Sequence, residues 1–234
     1  TSYLNVTNDS VLRGGLLVNN LNVSGIANIT DTLISNYLNI SGDTIIKGEL
    51  AVNNIIVSTN SNIIGTLTAN NLNISSDSII NGNLLVNNIL VSGNTNISDT
   101  LNLGYLKVSN NTNINGELYV NNINVSNNTN IANTLIANYL NITNDSILRG
   151  DLQVNNINVL TDININGELL VNDSYISNNS IIQGVLTVGE LNISTNTNIS
   201  EKLYVNNLDV SNNSIINGTL DVNEINTNTT NVDI

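Results

Sequence analysis

Apolar residues recur along the chain with a period of 17 residues. With the recurring leucine counted as position 1, apolar side chains also occupy positions 3, 6, 8 and 14, and Ser or Thr usually occupies position 12. Spacing by two within each pair is strand periodicity, and Leu, Val, Ile and Thr suit strands. No helical stripe can be drawn through such a unit. The pattern therefore predicts short strands and no helix, in units that begin at Leu16, Leu33, Leu50, Leu67, Leu84, Leu101, Leu118, Leu135, Leu152, Leu169, Leu186, Leu203 and Leu220.

Polar residues separate the apolar pairs at three places in each unit. Asn-Asn stands at positions 4 and 5, as in Asn53 and Asn54, a polar triplet at 9 to 11, as in residues 109–111, and Gly, Asp or Asn at 16, as in Gly65 and Asp99. Asn, Asp and Gly tolerate left-handed backbone geometry, which a corner can require. We therefore expect three strands and three corners per unit, which describes an all-β fold: a triangular β-solenoid (parallel β-helix) of about fourteen 17-residue coils.

The repeat runs without insertion or deletion, which predicts a single solenoid domain over residues 1–234. One coil buries too little apolar surface to offset the entropy of ordering it, so each coil needs its neighbours. Coils would stack about 4.8 Å apart, and Asn side chains at equal positions could form amide ladders along the stack.

A 34-residue superrepeat overlies the shorter period. Position 13 alternates between apolar residues and Asn, with Asn113 as the exception. Two interpretations are open: duplication of a two-coil block, or paired coils that repack a corner alternately. The similarity of residues 3–14 to residues 139–150 favours duplication.

Composition excludes several classes of function. The chain has 56 Asn but no Cys, His, Pro, Met, Trp or Phe, so disulfides, thiolate or imidazole metal sites and Ser-His or Cys-His catalysis are excluded. Five Lys and Arg against 18 Asp and Glu give a net charge of −13, which disfavours nucleic acid and anionic membranes as partners. No apolar run reaches 18 residues, so we expect no membrane insertion.

The acidic residues are the candidates for catalysis or metal binding. They are scattered over different positions of the unit, and no pair is distinguished from the equivalent residues of other units as an acid and base around one substrate would be. We therefore expect a solvated surface, no enzyme activity, and no catalytic, cofactor-binding or metal-binding residues. The acidic residues include Asp9, Asp43, Asp77 and Asp145 at position 11 and Glu49, Glu117 and Glu168 at position 17. Incidental weak calcium binding at the turns, where Asp at position 11 often gives way to Asn, is the alternative.

Asn-x-Ser/Thr sequons are dense at position 7. Because position 7 lies between the inward positions 6 and 8, these Asn side chains should face outward and could carry glycans if the host glycosylates. The alternative is that the period itself creates the triplets. The position-7 sequons are at Asn5, Asn22, Asn39, Asn73, Asn124, Asn141 and Asn192.

Position 2 should also face outward, yet it carries many apolar residues. An aligned apolar stripe favours lateral self-association into a homo-oligomer or bundle over scattered surface residues. Neither end of the repeat has a capping unit, so we expect either that flanking domains have been removed or that the solenoids stack end to end. The stripe comprises Leu17, Ile34, Leu85, Tyr119, Ile136, Leu170 and Tyr204, flanked at position 5 by Tyr3, Tyr37, Tyr105 and Tyr139.

The sequence pattern from Gly82 to Ser92, followed by Asn94 to Ile97, resembles the repeat shafts of phage and giant-virus fibre proteins. It also resembles stretches of bacterial and archaeal surface filaments and adhesins. This resemblance implies a non-enzymatic mechanical shaft, frequently trimeric, on a virion, on a cell surface or otherwise outside the cell. One alternative is a receptor-binding fibre shaft in which three chains share a core. A less favoured one is an ice-binding solenoid with its Thr rank at position 17, which Glu49, Glu117, Glu168 and Lys202 interrupt.

Overall fold

The computed structural model describes residues 2–200, 202–227 and 232–233, and every regular element in these ranges is a β-strand. The chain comprises two compact units, Thr1–Val120 and Asn121–Ile234. In both units each coil contributes one long and one short strand. The prediction of an all-β solenoid with 17-residue coils is confirmed, while the assignment of residues 1–234 to one domain stays a prediction.

In the first unit, long strands alternate with short ones along the chain. The long strands are β1 (Tyr3–Val6), β3 (Leu16–Val23), β5 (Leu33–Ile40), β7 (Glu49–Val57), β9 (Thr66–Ile74), β11 (Leu84–Val91) and β13 (Leu101–Val108). The short strands are β2 (Ser10–Leu12), β4 (Ala27–Ile29), β6 (Thr44–Ile46), β8 (Ser61–Ile63), β10 (Ser78–Ile80), β12 (Thr95–Ile97) and β14 (Thr112–Ile114). Strand β15 (Leu118–Val125) contains the division between the units.

The second unit repeats this alternation. Its short strands are β16 (Thr129–Ile131), β18 (Ser146–Leu148), β20 (Ile163–Ile165), β22 (Ser180–Ile182), β24 (Thr197–Ile199), β26 (Ser214–Ile216) and β28 (Val232–Asp233). Its long strands are β17 (Leu135–Ile142), β19 (Leu152–Val159), β21 (Leu169–Ile176), β23 (Val185–Ile193), β25 (Lys202–Val210) and β27 (Thr219–Thr227).

Pairing is parallel between strands one coil apart, so long strands form one sheet and short strands a second sheet within each unit. Leu67 of β9 lies opposite Leu84 of β11, and Ser61 of β8 lies opposite Ser78 of β10. Partners are 17 residues apart in both sheets, so each side chain stacks on its equivalent in the next coil. Within each unit, the strands of one chain therefore pair with one another and enclose the core.

The core of each coil consists of three inward-facing pairs. In the coil that begins at Leu84, that residue and Val86 form the first pair, Ile89 and Val91 the second, and Thr95 and Ile97 the third, all at most 4% exposed. These are positions 1 and 3, 6 and 8, and 12 and 14, as the apolar pattern predicts. The three predicted sides of the coil are therefore present as three buried pairs.

The number of strands differs from the expectation, because the first two predicted strands are one continuous strand. Asn87 and Asn88, at positions 4 and 5 of β11, are both exposed, so two successive side chains face outward there. Position 4 also drops out of the pairing register between neighbouring long strands. Side chains of a regular strand alternate between the faces, so the doubled outward position changes the direction of the chain without ending the strand.

Left-handed geometry, which a corner can require, occurs at only one of the described corners. Among the described residues, no residue other than glycine has a positive φ, and only Gly14 does, at 123°. Glycine at position 16 has a different cause: a Cβ on Gly65 would collide with the carbonyl oxygen of Gly48 in the preceding coil. Backbones approach closely at this corner, and a glycine without a side chain permits that approach.

Position 13 lies in the middle of the short strand with its side chain outward. Ile79 of β10 is 42% exposed and lies between Asn62 and Asn96 of the neighbouring strands. The interpretation in which paired coils repack a corner is therefore wrong, because this position is neither at a corner nor in the core. Apolar residues and Asn instead alternate along the outer face of the short sheet.

Candidate interaction surfaces

Position 11 carries a column of side chains that bind the backbone of the next coil. In the first unit, the Oδ1 atoms of Asp43, Asn60, Asp77 and Asn94 each accept a hydrogen bond from the backbone N–H of position 11 one coil later, at 2.7–3.2 Å. The last of these donors is Asn111. Asp and Asn both offer this oxygen, which explains why they interchange here.

The second unit uses the same contact. Asp145 accepts from the N–H of Asp162 at 3.3 Å, and Asp162 accepts in turn from the N–H of Asn179 at 2.9 Å. The position-11 carboxylates considered as calcium ligands thus join coils along the stack. Sequence reasoning missed this role, although the free exchange of Asp and Asn at one position was a usable signal.

The described residues include no group of three or more Asp, Glu, His or Cys side chains placed to hold a metal ion. The same ranges contain no helix of the length and apolar character that a membrane crossing would need. Glu49, Glu117 and Glu168 at position 17 are exposed.

Two tyrosines interact with polar neighbours on the exterior. The hydroxyl of Tyr119 donates to Oε2 of Glu117 at 3.3 Å, and this carboxylate raises the pKa of Tyr119 by its charge and by that hydrogen bond. The side-chain hydrogen bond from Ser194, and to a smaller extent the one from Ser177, lowers the pKa of Tyr175. Neighbouring side chains on the exterior therefore change the pKa of both tyrosines.

Asn side chains at position 4 form the amide ladder that the repeat predicts. In the first unit Asn53 donates to Asn36 at 3.1 Å, Asn70 to Asn53 at 3.4 Å, and Asn87 to Asn70 at 3.1 Å. Gly104 follows at this position in the next coil. The ladder therefore extends over successive coils wherever Asn persists.

The second unit carries a position-4 ladder of its own. Asn155 donates to Asn138 at 2.9 Å, and Asn172 donates to Asn155 at 3.4 Å. Gly189 interrupts the series, and a further pair follows where Asn223 donates to Asn206 at 3.1 Å. The Asn-rich composition thus has a structural use on the outer surface.

The position-7 Asn side chains face outward, as expected. Asn5, Asn22, Asn39, Asn73, Asn141 and Asn192 are exposed, and Asn124 is half-buried. Asn22 donates to Asn5 at 2.9 Å, so neighbouring sequons also form ladder contacts. Successive coils lie about 4.8 Å apart, which leaves little room for glycans on adjacent sequons.

The apolar stripe at position 2 lies on the outer face of the long sheet in the first unit. Leu17 is 72% exposed and pairs with Ile34, and Leu85 is 58% exposed. Ala51 and Thr68 lie between them in the register. The stripe is thus aligned, with small and polar interruptions.

In the second unit the stripe alternates by coil. Ile136, Leu170 and Tyr204 are exposed in every second coil, with Gln153 and Thr187 between them. A shallow groove of about 310 Å³ follows Ile136 and Leu170. The tyrosines that flank the stripe at position 5 differ in exposure: Tyr3, Tyr37 and Tyr139 are exposed, and Tyr105 is half-buried.

A wider groove of about 700 Å³ follows the outer face of the short sheet in the second unit. Its lining includes Ile147, Ile181 and Ile215 at position 13, with Asn164 and Asn198 between them. The 34-residue alternation therefore spaces apolar side chains two coils apart along the groove.

The Thr residues at position 17 stand at the corner before the long strand or at its first residue. Thr32 lies outside β5, whereas Thr66 begins β9. Glu49 and Glu117 occupy the same position in other coils. In the described coils, the Thr residues at position 17 therefore do not form a flat row in the middle of a sheet.

Each surface in the described ranges is thus a repeating column: ladders of Asn and Asp, an apolar stripe and a row of sequons. No protein-family model, no curated protein and no solved structure matches this chain.

Proposed function

We propose that this protein is a structural subunit of a fibre or filament, outside a cell or on a virion, that associates laterally with further copies. The observation that carries the proposal is the equivalence of the coils. The polar side chains that would otherwise be candidates for chemistry, Asp77 and Asn70 among them, hydrogen-bond the neighbouring coils.

The outward apolar side chains support lateral association. Leu17 and Leu85 in the first unit and Leu170 in the second are about half exposed or more, and each lies at position 2 on the outer face of the long sheet of its own unit. Exposed aligned apolar surface favours a protein partner. The net charge of −13 opposes close packing of copies, so the association should strengthen with ionic strength.

Electron microscopy with image averaging of the native protein tests this function. Filaments or laterally joined bundles, with a layer spacing near 4.8 Å, are the expected result. Discrete particles with threefold symmetry in cross-section would favour the trimeric receptor-binding shaft instead. Isolated single chains at every concentration and ionic strength would contradict the proposal.

A further inference from the structure

A row of buried hydroxyl groups lies inside each unit. Position 12 of the short strands carries Ser or Thr in most coils, and nine of these side chains are at most 2% exposed. In the first unit the short-sheet register places each hydroxyl residue opposite the next, and in the second unit it pairs Thr129 with Ser146 and Ser180 with Thr197. The rows comprise Thr44, Ser61, Ser78, Thr95 and Thr112 in the first unit, and Thr129, Ser146, Ser180 and Thr197 in the second.

The Oγ atom of each of these residues is buried without a hydrogen-bond partner among the described residues. A buried hydroxyl that leaves water without gaining a partner destabilises the fold, and buried polar groups in native proteins nearly always bond to protein or to ordered water. The same position carries this group coil after coil, so the cost would recur along the stack. The hydroxyls therefore require a partner that the polypeptide does not supply.

Spacing decides what that partner is. Equivalent atoms of neighbouring strands lie about 4.8 Å apart, which exceeds the roughly 2.8 Å of a direct O–H···O hydrogen bond. An oxygen about 2.8 Å from both hydroxyls would bridge them at an angle of about 118°, close to the tetrahedral angle of water. Buried waters in proteins typically make two to four hydrogen bonds of this kind.

We propose that each row binds a file of water molecules, with one water between successive position-12 hydroxyls. The site between Ser61 and Ser78 suits water best, because two serines in succession lack the γ-methyl groups of threonine. An apolar side chain replaces the hydroxyl at Ala27, which bounds the file in the first unit, and at Ile163, which interrupts the file between Ser146 and Ser180 in the second. Neither replacement leaves a polar atom in need of a partner.

A high-resolution crystal structure of the whole chain tests the position of the water. The expected result is density for an ordered oxygen within about 2.8 Å of the Oγ atoms of both Ser61 and Ser78. Serine hydroxyls bonded to backbone carbonyl oxygens, with no density between them, would overturn the proposal.

A pair of isosteric substitutions tests whether the hydroxyls stabilise the fold, because the direction of the change in melting temperature differs between the two cases. Replacing Thr95→Val together with Thr112→Val removes two hydroxyls at constant shape. If the hydroxyls hold water, the variant should melt about 4 °C or more below the wild-type chain. If they are unpaired, their removal should leave the melting temperature unchanged or raise it, which would overturn the proposal.

The matched control is Thr68→Val, since Thr68 is exposed at position 2 of the same unit. Its melting temperature should stay within about 2 °C of wild type. Water-to-protein magnetisation transfer in solution gives a second readout, expected at the Ser61 and Ser78 side chains and absent at Leu67.

Discussion

Asn94 donates its backbone N–H to the Oδ1 atom of Asp77, one coil earlier, at 2.7 Å. The Asn94 side-chain amide reaches the same oxygen at 3.3 Å. One carboxylate oxygen therefore joins two coils at a corner where neither residue belongs to a strand. The column at position 11 depends on this oxygen and not on the negative charge.

We predict that Asp77→Ala lowers the free energy of unfolding by about 1–3 kcal/mol, because it removes an acceptor for two hydrogen bonds. Asp77→Asn keeps the oxygen and should cost less than about 1 kcal/mol. Denaturant unfolding of the two variants and the wild-type chain measures the difference. Equal losses in both variants would contradict the proposed role of the oxygen.

Gly65 at position 16 should be intolerant of a side chain. Gly65→Ala places a methyl group against the backbone of Gly48, which must shift, so we expect a loss of about 3 kcal/mol or more. Gly15→Ala is the matched control, because a Cβ there meets no atom within 4 Å. A similar melting temperature for the two variants would argue against close backbone approach at this corner.

The position-4 ladder should contribute modestly, because its hydrogen bonds are exposed. Asn70 both accepts from Asn87 and donates to Asn53, so Asn70→Ala breaks two bonds and should lower stability by about 1 kcal/mol. Asn102→Ala, at the outward position 2, should change stability by no more than about 0.5 kcal/mol. Thermal unfolding distinguishes the pair, and a larger loss in the control would refute a stabilising ladder.

Charged side chains in the apolar stripe should weaken lateral association. We predict that Leu85→Glu combined with Leu170→Glu shifts the chain toward smaller species in sedimentation velocity, since it adds charge to the exposed apolar surface. Ile79→Glu combined with Ile181→Glu is the control, with the same added charge at exposed positions of the short sheet. If both variants dissociate equally, general repulsion explains the result and the stripe is not the contact surface.

The phenol of Tyr119 should ionise at higher pH than an ordinary tyrosine, because the Glu117 carboxylate raises its pKa. The raised pKa means that the contact favours the folded chain below the ordinary tyrosine pKa of about 10. That contribution is lost as the pH rises through the raised value. Glu117→Gln should move the titration of the Tyr119 ring resonances to lower pH. Identical titration curves in variant and wild type would disprove the coupling.

The positions of inward and outward residues could be predicted from the apolar pattern. Leu84, Val86, Ile89 and Val91 alternate by two within each pair, and a strand maps that alternation directly onto two faces. The amide ladders were also predictable, because a repeat without insertions stacks Asn70 on Asn53. Those features depend only on the period and on the spacing within one unit.

The corners were less predictable. Asn and Gly are consistent with left-handed geometry, with a ladder or with close backbone approach, and the residue type alone does not choose among them. Only the stacked backbones reveal that Gly65 faces Gly48 and that Asp77 reaches the N–H of Asn94. The same ambiguity applies to position 12, where the residue type gives a hydroxyl group and only the assembled coils show that this hydroxyl has no partner.

The 17-residue coil, the all-β solenoid class and the side chains that enter the core follow from the apolar repeat. Three features emerge only from the folded chain: Asn87 and Asn88 lie within one continuous strand, the position-11 oxygens join successive coils, and position 13 faces outward. The physical reason is that a period specifies which residues stack. Which donor meets which acceptor depends on the distance and angle between backbones 17 residues apart, and these exist only once the coils are assembled.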